Sequence, residues 1–199
     1  MNVITIAPFY TASGVNHPNT PRTPQAYINK TREMLKAHNI AIELAETGDF
    51  AGVPCMLEWN QSIDLDKNVG DIRALCEPSL PFGNAIPVIF GIIYQAEVYG
   101  AAIPTDYAGN GGKRWPPYIV INLQLQSRFN AVLLHELIHA AYFSKAYLGK
   151  PMPDHDANPT SIFAACAPDK NSDRSLTQNF LPALHVAALR SAAFATFRA

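Results

Sequence analysis

The chain has few charged residues, no excess of basic ones and no long apolar run. Charged residues make up 16% of 199 positions, and 15 basic against 16 acidic residues leave a net charge of −1. Nucleic-acid binding requires an excess of lysine and arginine to neutralise phosphates, so this class is disfavoured. No apolar run reaches the roughly 18 residues of a membrane-spanning helix, and we therefore expect no membrane span.

Cysteine is also scarce, and the N-terminus lacks an export signal. Cys55, Cys76 and Cys166 are too few and too scattered for a disulfide framework, and no Cys-x-x-Cys pair is present to build a zinc ribbon. The stretch from Met1 to Pro8 lacks the basic region and the uninterrupted apolar run of a signal peptide. We expect a protein that is cytoplasmic, exported without an N-terminal signal, or a domain of a longer secreted protein.

The length and the apolar pattern predict a single α+β domain. With 48% apolar residues, the 199 positions suit one globular domain whose two lobes, about 1–148 and about 149–199, flank a cleft. The lower lobe is expected to be a small helical and irregular subdomain. The spacing of apolar residues predicts helices at 24–38, 66–76, 127–148 and 181–197, and strands at 40–44, 87–94 and 118–125.

One segment, His135-Glu136-Leu137-Ile138-His139, carries recognisable chemistry. Histidines four positions apart share one face of a helix, so both imidazoles can bind the same zinc ion. Glu136 can reach a zinc-bound water, whose pKa zinc lowers to about 7, and can take its proton. An ordinary charged helical turn is the alternative. However, two histidines and a glutamate among leucines and isoleucines would be costly to bury without a partner.

The segment resembles the active-site helix of the zincin metallopeptidases, and the likeness extends upstream. Residues 86–90, 100–102 and 118–122 are similar to the strand, edge strand and strand that precede that helix in the superfamily. The resemblance implies a zincin-like fold, with a mixed twisted sheet, a backing helix and an active-site helix. It implies one catalytic Zn2+, a peptide or protein substrate, and a cleft edge near 97–104 that pairs with the substrate backbone.

The third zinc ligand separates the subgroups of zincins. No glutamate follows Glu136, and Tyr142 and Lys145 stand where a compact metzincin has its glycine and third histidine. The stretch from His155 to Phe163 instead resembles a displaced third histidine and the following methionine turn, with Phe163 in place of the methionine. Phe163 is accordingly expected to be a buried apolar floor. The ligand set implied by the resemblance is His135, His139 and His155.

Several alternatives to His155 remain open at the level of sequence. The seven residue steps from Leu148 to His155 span at most about 23 Å, so the loop can return to the site. Asp154, Asp156 and, more remotely, His185 are the competing ligands, and an ordinary loop histidine at 155 is the further alternative. Asp156 has a further interpretation as the carboxylate that orients a ligand histidine. Tyrosines that could stabilise an oxyanion are Tyr107, Tyr118 and Tyr142.

Three functions compete on these residues. The first is a zinc-dependent metalloendopeptidase with Glu136 as its base, either a toxin-like effector or a catalytic domain of a longer protein. The second is a non-catalytic metal-binding or interaction domain on the same scaffold, against which the intact Glu136 argues. The third is a zinc hydrolase or deaminase acting on another substrate, but the Pro-Cys-x-x-Cys signature of deaminases is missing. The oligomeric state is left open by the sequence.

Overall fold

The described part of the chain forms seven strands and five helices. A computed structural model describes residues 1–15, 23–45, 55–76, 85–104, 117–125, 131–144, 154–165 and 180–198. The strands are β1 (Asn2–Thr11), β2 (Ile40–Leu44), β3 (Cys55–Leu57), β4 (Ile86–Gly91), β5 (Gly100–Ile103), β6 (Tyr118–Asn122) and β7 (Ala195–Phe197). The helices are α1 (Ala12–Val15), α2 (Pro24–Lys36), α3 (Val69–Cys76), α4 (Val132–Phe143) and α5 (Ala183–Ser191).

The strands form one mixed sheet, which confirms the expected α+β class. Its main path runs β2-β1-β4-β6-β5, with β3 and β7 both pairing with the long strand β1. The pairs along β2, β1, β4 and β6 are parallel, whereas β5 lies antiparallel to β6 and β7 lies antiparallel to β1. Among the described residues, no helix has the length and apolar character to span a membrane.

Both faces of the central strands are covered, so these strands read as nearly continuous apolar runs. Because side chains alternate along a strand, the even positions of β4 and the odd positions of β6 face α2, α4 and α5. Ile89 and Val120 point to the opposite face, where they pack with α3. Helix α4 is therefore enclosed between the sheet and its neighbouring helices.

Several sequence predictions hold with small shifts of their boundaries. Helix α2 begins at Pro24 and β2 spans Ile40–Leu44, as expected. Helix α3 starts at Val69, three residues later than predicted, and β4 and β6 end at Gly91 and Asn122, three residues early. Strand β1 was not predicted, because polar residues and Pro8 interrupt its apolar pattern.

Two predicted helices are wrong in their extent. Helix α4 is shorter than the predicted 127–148, because it begins after Ala131 and ends at Phe143. Ser144 is extended, and its hydroxyl donates to the carbonyl of Ala141 at 2.7 Å, which satisfies one of the last acceptors of the helix. Ser127, at the predicted start of this helix, lies outside the described residues. The last helix, predicted to reach Phe197, ends at Ser191, and β7 follows it.

The close packing around Gly91, at the end of β4, yields a test of this core. A methyl group added at Gly91 would lie 2.7 Å from Thr11 Oγ1 and 2.9 Å from Ile63 Cδ1. We expect Gly91→Ala to lower the free energy of unfolding by about 1–3 kcal/mol, because these buried neighbours must move. Urea unfolding measures the change.

A matched substitution in α3 should cause no loss of stability. Gly70 occupies a helical position near the start of α3. Since alanine is favoured over glycine in a helix by up to about 1 kcal/mol, Gly70→Ala should leave stability unchanged or raise it. Equal losses in both variants would contradict the described packing.

Candidate metal centre

Helix α4 places two imidazoles side by side. His135 and His139 lie one turn apart on the same face of the helix, and their Nε2 atoms are 3.0 Å from each other. Both side chains are buried, since α4 has apolar neighbours on most of its surface. The predicted pairing of these histidines on one helical face is therefore observed.

The loop at 154–165 brings a third imidazole to the pair. His155 Nε2 lies 3.1 Å from His139 Nε2 and 3.3 Å from His135 Nε2. His155 is exposed while the other two histidines are buried, so the group opens to solvent on the loop side. Within the described ranges, these three residues are the group of metal-ligating side chains whose donor atoms converge.

A backbone carbonyl of the same loop fixes the orientation of His135. Its Nδ1–H donates to the carbonyl of Ile162 at 2.9 Å. The proton of the neutral ring is then on Nδ1, and Nε2 keeps its lone pair for a metal. Ile162 therefore performs the orienting role that the sequence had suggested for Asp156. No signal in the sequence indicates this contact, because any residue supplies a backbone carbonyl.

The three nitrogens fit a tetrahedral metal site. Nitrogens bound to zinc at about 2.0–2.1 Å with tetrahedral angles lie about 3.3 Å apart. The observed separations of 3.0–3.3 Å match this arrangement. Neutral imidazole is a common ligand for zinc, copper, iron and nickel. The three histidines could hold a metal ion, and this donor set alone does not select among these metals.

Burial keeps the two helix histidines neutral in the metal-free protein. Burial lowers the pKa of His135 to about 4, and charge on His155 or His185 acts in the same direction, while the Ile162 carbonyl opposes the shift. Burial lowers the pKa of His139 to about 3, with further lowering by the neighbouring imidazoles. Neutral rings offer lone pairs, so no proton has to leave either ring at pH 7 before a metal binds.

Glu136 lies against the edge strand β5. Burial raises its pKa to about 8, and a hydrogen bond from the backbone of Ala102 partly opposes that shift. Strand β5 approaches closely because Gly100 has no side chain: a Cβ there would lie 3.0 Å from Glu136 Cγ and 3.1 Å from Val132 Cγ2. The glutamate is therefore enclosed between α4 and the sheet edge.

Phe163 forms the apolar floor that was predicted for it. The side chain is fully buried, and its ring centroid lies 4.6–5.3 Å from the ring centroids of His135, His139 and His155. An apolar ring at this position excludes water from one side of the three imidazoles. The expected contact between this turn and the helix histidines is thus observed.

The competing ligands lie elsewhere. Asp154 is exposed, and the Asp156 carboxylate accepts a hydrogen bond from His185 Nε2 at 3.0 Å. His185 is buried in α5 and has its other nitrogen 2.9 Å from the hydroxyl of Tyr142. None of these groups joins the three converging nitrogens.

The remaining residues named from the sequence are Tyr118, Cys76, Tyr107 and Cys166. Tyr118 donates its hydroxyl to the carbonyl of Val69, on the α3 side of the sheet, so it is a packing residue. Cys76 is buried, and its thiol donates to the carbonyl of Ile72 at 3.4 Å. Tyr107 and Cys166 lie outside the described residues.

The chain matches no protein-family model and no curated protein. Its chemistry is therefore inferred from the histidine motif and from the geometry of the site.

The converging nitrogens predict that the protein binds one equivalent of a divalent metal. His135→Ala, His139→Ala and His155→Ala should each reduce the bound metal severely, because each leaves two protein nitrogens where a stable site needs three. Metal content after dialysis against zinc-containing and then zinc-free buffer measures this.

Two variants serve as controls for metal binding. Asp154→Ala should retain the metal, because the exposed carboxylate is outside the group of three. His38→Ala removes a histidine that follows α2 and should also retain it. Full retention in His155→Ala, or loss in Asp154→Ala, would contradict the ligand set.

The lowered histidine pKa values predict how acid affects the metal-free protein. A histidine with a folded pKa of about 3 or 4 against about 6.5 when unfolded contributes stability that is present above pH 6.5. That contribution is lost as the pH falls from 6.5 towards the folded values. The raised pKa of Glu136 acts with the opposite sign, since its contribution is lost as the pH rises from about 4.5 to 8.

Comparison with a variant isolates the histidine contribution. His139→Gln keeps Glu136 but has one titrating histidine fewer. The free energy of unfolding of chelator-treated protein is measured with urea between pH 7 and 5. As the pH falls, it should decrease more for the wild type than for the variant. A constant difference over this range would contradict the assigned protonation states.

Proposed function

We propose that the protein is a zinc-dependent metallopeptidase of the zincin type, with His135, His139 and His155 as zinc ligands and Glu136 as the general base. The observation that carries the proposal is the convergence of three imidazole nitrogens beside a buried glutamate on the same helix. The motif His-Glu-x-x-His has this chemistry when its histidines share one helical face.

The order of the elements supports the proposal. Strand β4, edge strand β5, strand β6 and helix α4 follow one another in the order that the zincin resemblance implies. Strand β5 lies at the end of the main sheet path and antiparallel to β6. An extended peptide could add to such an edge through main-chain hydrogen bonds, which hold a substrate without regard to most side chains.

Bound zinc would supply a Lewis acid that polarises a carbonyl and lowers the pKa of a water molecule to about 7. The three histidines would hold the metal, and the Ile162 carbonyl keeps the lone pair of His135 Nε2 available. Glu136 accepts the proton of the attacking water and passes it to the leaving amine. The metal-free glutamate is largely protonated at pH 7, since its pKa is about 8, but a nearby cation favours its charged form.

The edge strand positions the base for this proton transfer. The backbone of Ala102 donates to the Glu136 carboxylate, and the missing side chain of Gly100 lets the strand lie directly against it. A carboxylate held from both α4 and β5 has little freedom to rotate away. This rigidity suits a group that must meet one water molecule in one orientation.

The decisive test separates proton transfer from metal binding. Glu136→Gln should reduce the hydrolysis of a fluorogenic peptide library by about 10²–10⁴-fold or more, because the amide cannot take a proton. Zinc content should remain at one equivalent and the thermal unfolding temperature should not fall, since Glu136 is outside the ligand group.

A surface glutamate provides the matched control. Glu33 pairs with Lys30 on the outside of α2, and Glu33→Gln should keep full activity. If the wild type binds zinc but cleaves no peptide, the alternative of a non-catalytic metal-binding domain replaces the peptidase. If Glu136→Gln remains fully active, Glu136 is not the base.

A further inference from the structure

A chain of polar side chains, buried except for the partly exposed Asp156, lies behind the floor of the metal centre. His185 is 1% exposed and Ser161 is fully buried, although neither belongs to the three converging imidazoles. His185 Nε2 lies 3.0 Å from Asp156 Oδ2, and His185 Nδ1 lies 2.9 Å from the Tyr142 hydroxyl. The Ser161 hydroxyl donates to the same Asp156 oxygen. Buried polar groups are costly unless each has a partner, and every member of this set has one.

The direction of each hydrogen bond follows from the Asp156 carboxylate, which is the acceptor at one end of the chain. A carboxylate of Asp156 can only accept, so His185 Nε2–H and the Ser161 hydroxyl both donate to it. When Nε2 carries the only proton of the ring, Nδ1 keeps a lone pair that accepts from the Tyr142 hydroxyl, 2.9 Å away. The chain is therefore oriented from Tyr142 through His185 to Asp156, and each member fixes the next.

This chain joins three separate elements at one point. Tyr142 belongs to α4, His185 belongs to α5, and Asp156 and Ser161 belong to the loop at 154–165. The loop is closed on itself as well, since the backbone N–H of Asp156 donates to the carbonyl of Phe163 at 3.0 Å. The buried chain thus anchors a closed loop to the helix that carries the motif histidines.

The anchored loop supplies two groups to the metal centre. His155 precedes Asp156 directly, and its Nε2 is the third converging nitrogen. The Ile162 carbonyl follows Ser161 and accepts from His135 Nδ1. A shift of the loop would therefore displace one ligand and release the orientation of another.

Phe163, the apolar floor of the metal centre, also links the position of His185 to the three imidazoles. Phe163 has the His185 ring centroid 4.6 Å away and the Tyr142 centroid 6.0 Å away, in addition to its contacts with the three converging histidines. The position of His185 therefore limits where the floor can lie. Packed aromatic rings in a dense core cannot move independently of one another.

We propose that Tyr142, His185, Asp156 and Ser161 form a positioning network that sets the metal affinity of the three-histidine centre. The network acts through the loop, by holding His155 and the Ile162 carbonyl in place, and none of its members is a ligand. The inference rests on the metal centre of the proposed function, but it does not depend on peptide hydrolysis.

The first test removes one hydroxyl from the network. Tyr142→Phe keeps the ring against Phe163 and deletes the donor to His185. We expect zinc affinity, measured by competition with a chromophoric chelator, to fall about tenfold, since changes to groups that orient metal ligands typically cost 10–100-fold. Asp156→Ala should cost more than Tyr142→Phe, because it removes the acceptor shared by His185 and Ser161.

Tyr118→Phe is the matched control. It deletes one buried tyrosine hydroxyl that donates to the Val69 carbonyl at 3.2 Å, on the face of the sheet away from the metal centre. It should lower thermal stability as Tyr142→Phe does, yet leave zinc affinity unchanged. Asp156→Asn is the conservative variant, and its amide oxygen should recover much of the affinity lost in Asp156→Ala.

A double variant shows whether the residues act in series. Tyr142 reaches the loop through His185 and Asp156, so Tyr142→Phe should have little further effect once Asp156→Ala is present. Zinc affinity of the double variant close to that of Asp156→Ala alone would support the network. Multiplied losses in the double variant would overturn the connection in series, because independent sites add.

The remaining outcomes separate this inference from the proposed function. Unchanged zinc affinity in both Tyr142→Phe and Asp156→Ala would overturn the network, and so would an equal loss of affinity in Tyr118→Phe. A wild type that binds no zinc would overturn the metal centre and the network together. A wild type that binds zinc without cleaving peptides would overturn only the peptidase.

Discussion

The convergence of three imidazole nitrogens within 3.3 Å of one another is the constraint on which the rest of the site depends. Lone pairs at this distance repel unless a proton or a cation lies between them, so the fold must hold them there. The pitch of helix α4 is sufficient to hold the nitrogens of two histidines at this distance. The third nitrogen comes from a loop that lies 16 residues further on, and its position depends on hydrogen bonds rather than on helical geometry.

The sheet and the helices explain why such a group can persist in a core. Helix α4 packs between the sheet and α2 and α5, so its backbone cannot adjust without disturbing both. Strand β7 returns to pair with the first residues of β1, which ties the end of the described chain to the centre of the sheet. Helix α5, just before β7, is therefore held firmly enough to present His185 to the loop. Rigid elements position functional groups more accurately than loops do, and here a loop is braced by two of them.

The sequence predicts the part of this site that depends on local spacing or on a resemblance, and it does not predict the contacts between distant residues. Spacing along a helix is a local property, so the pairing of His135 and His139 follows from their positions, and the likeness to a methionine turn located His155 and Phe163. The carbonyl of Ile162 has no signature in the sequence, and the bond between His185 and Asp156 joins residues 29 positions apart. The end of α4 at Phe143 was missed for a related reason, since the periodic apolar pattern continues to Leu148 while Ser144 turns back to bond the helix. The exposed end strand β7 has too short a pattern to distinguish it from the helix before it.

The charge states of the metal-free centre show what a cation would change. Burial lowers the pKa of His135 and His139 and raises that of Glu136, so at neutral pH the buried part of the centre is close to uncharged. This is the arrangement that costs least in the absence of a metal, because no charge is left without a partner in the core. A divalent cation held by the three nitrogens would favour the ionised form of a nearby carboxylate, and it would need no proton to leave His135 or His139. In the proposed peptidase, metal binding and ionisation of Glu136 would then be one coupled event, and the burial that keeps the glutamate protonated would prevent it from acting as a base before the metal binds.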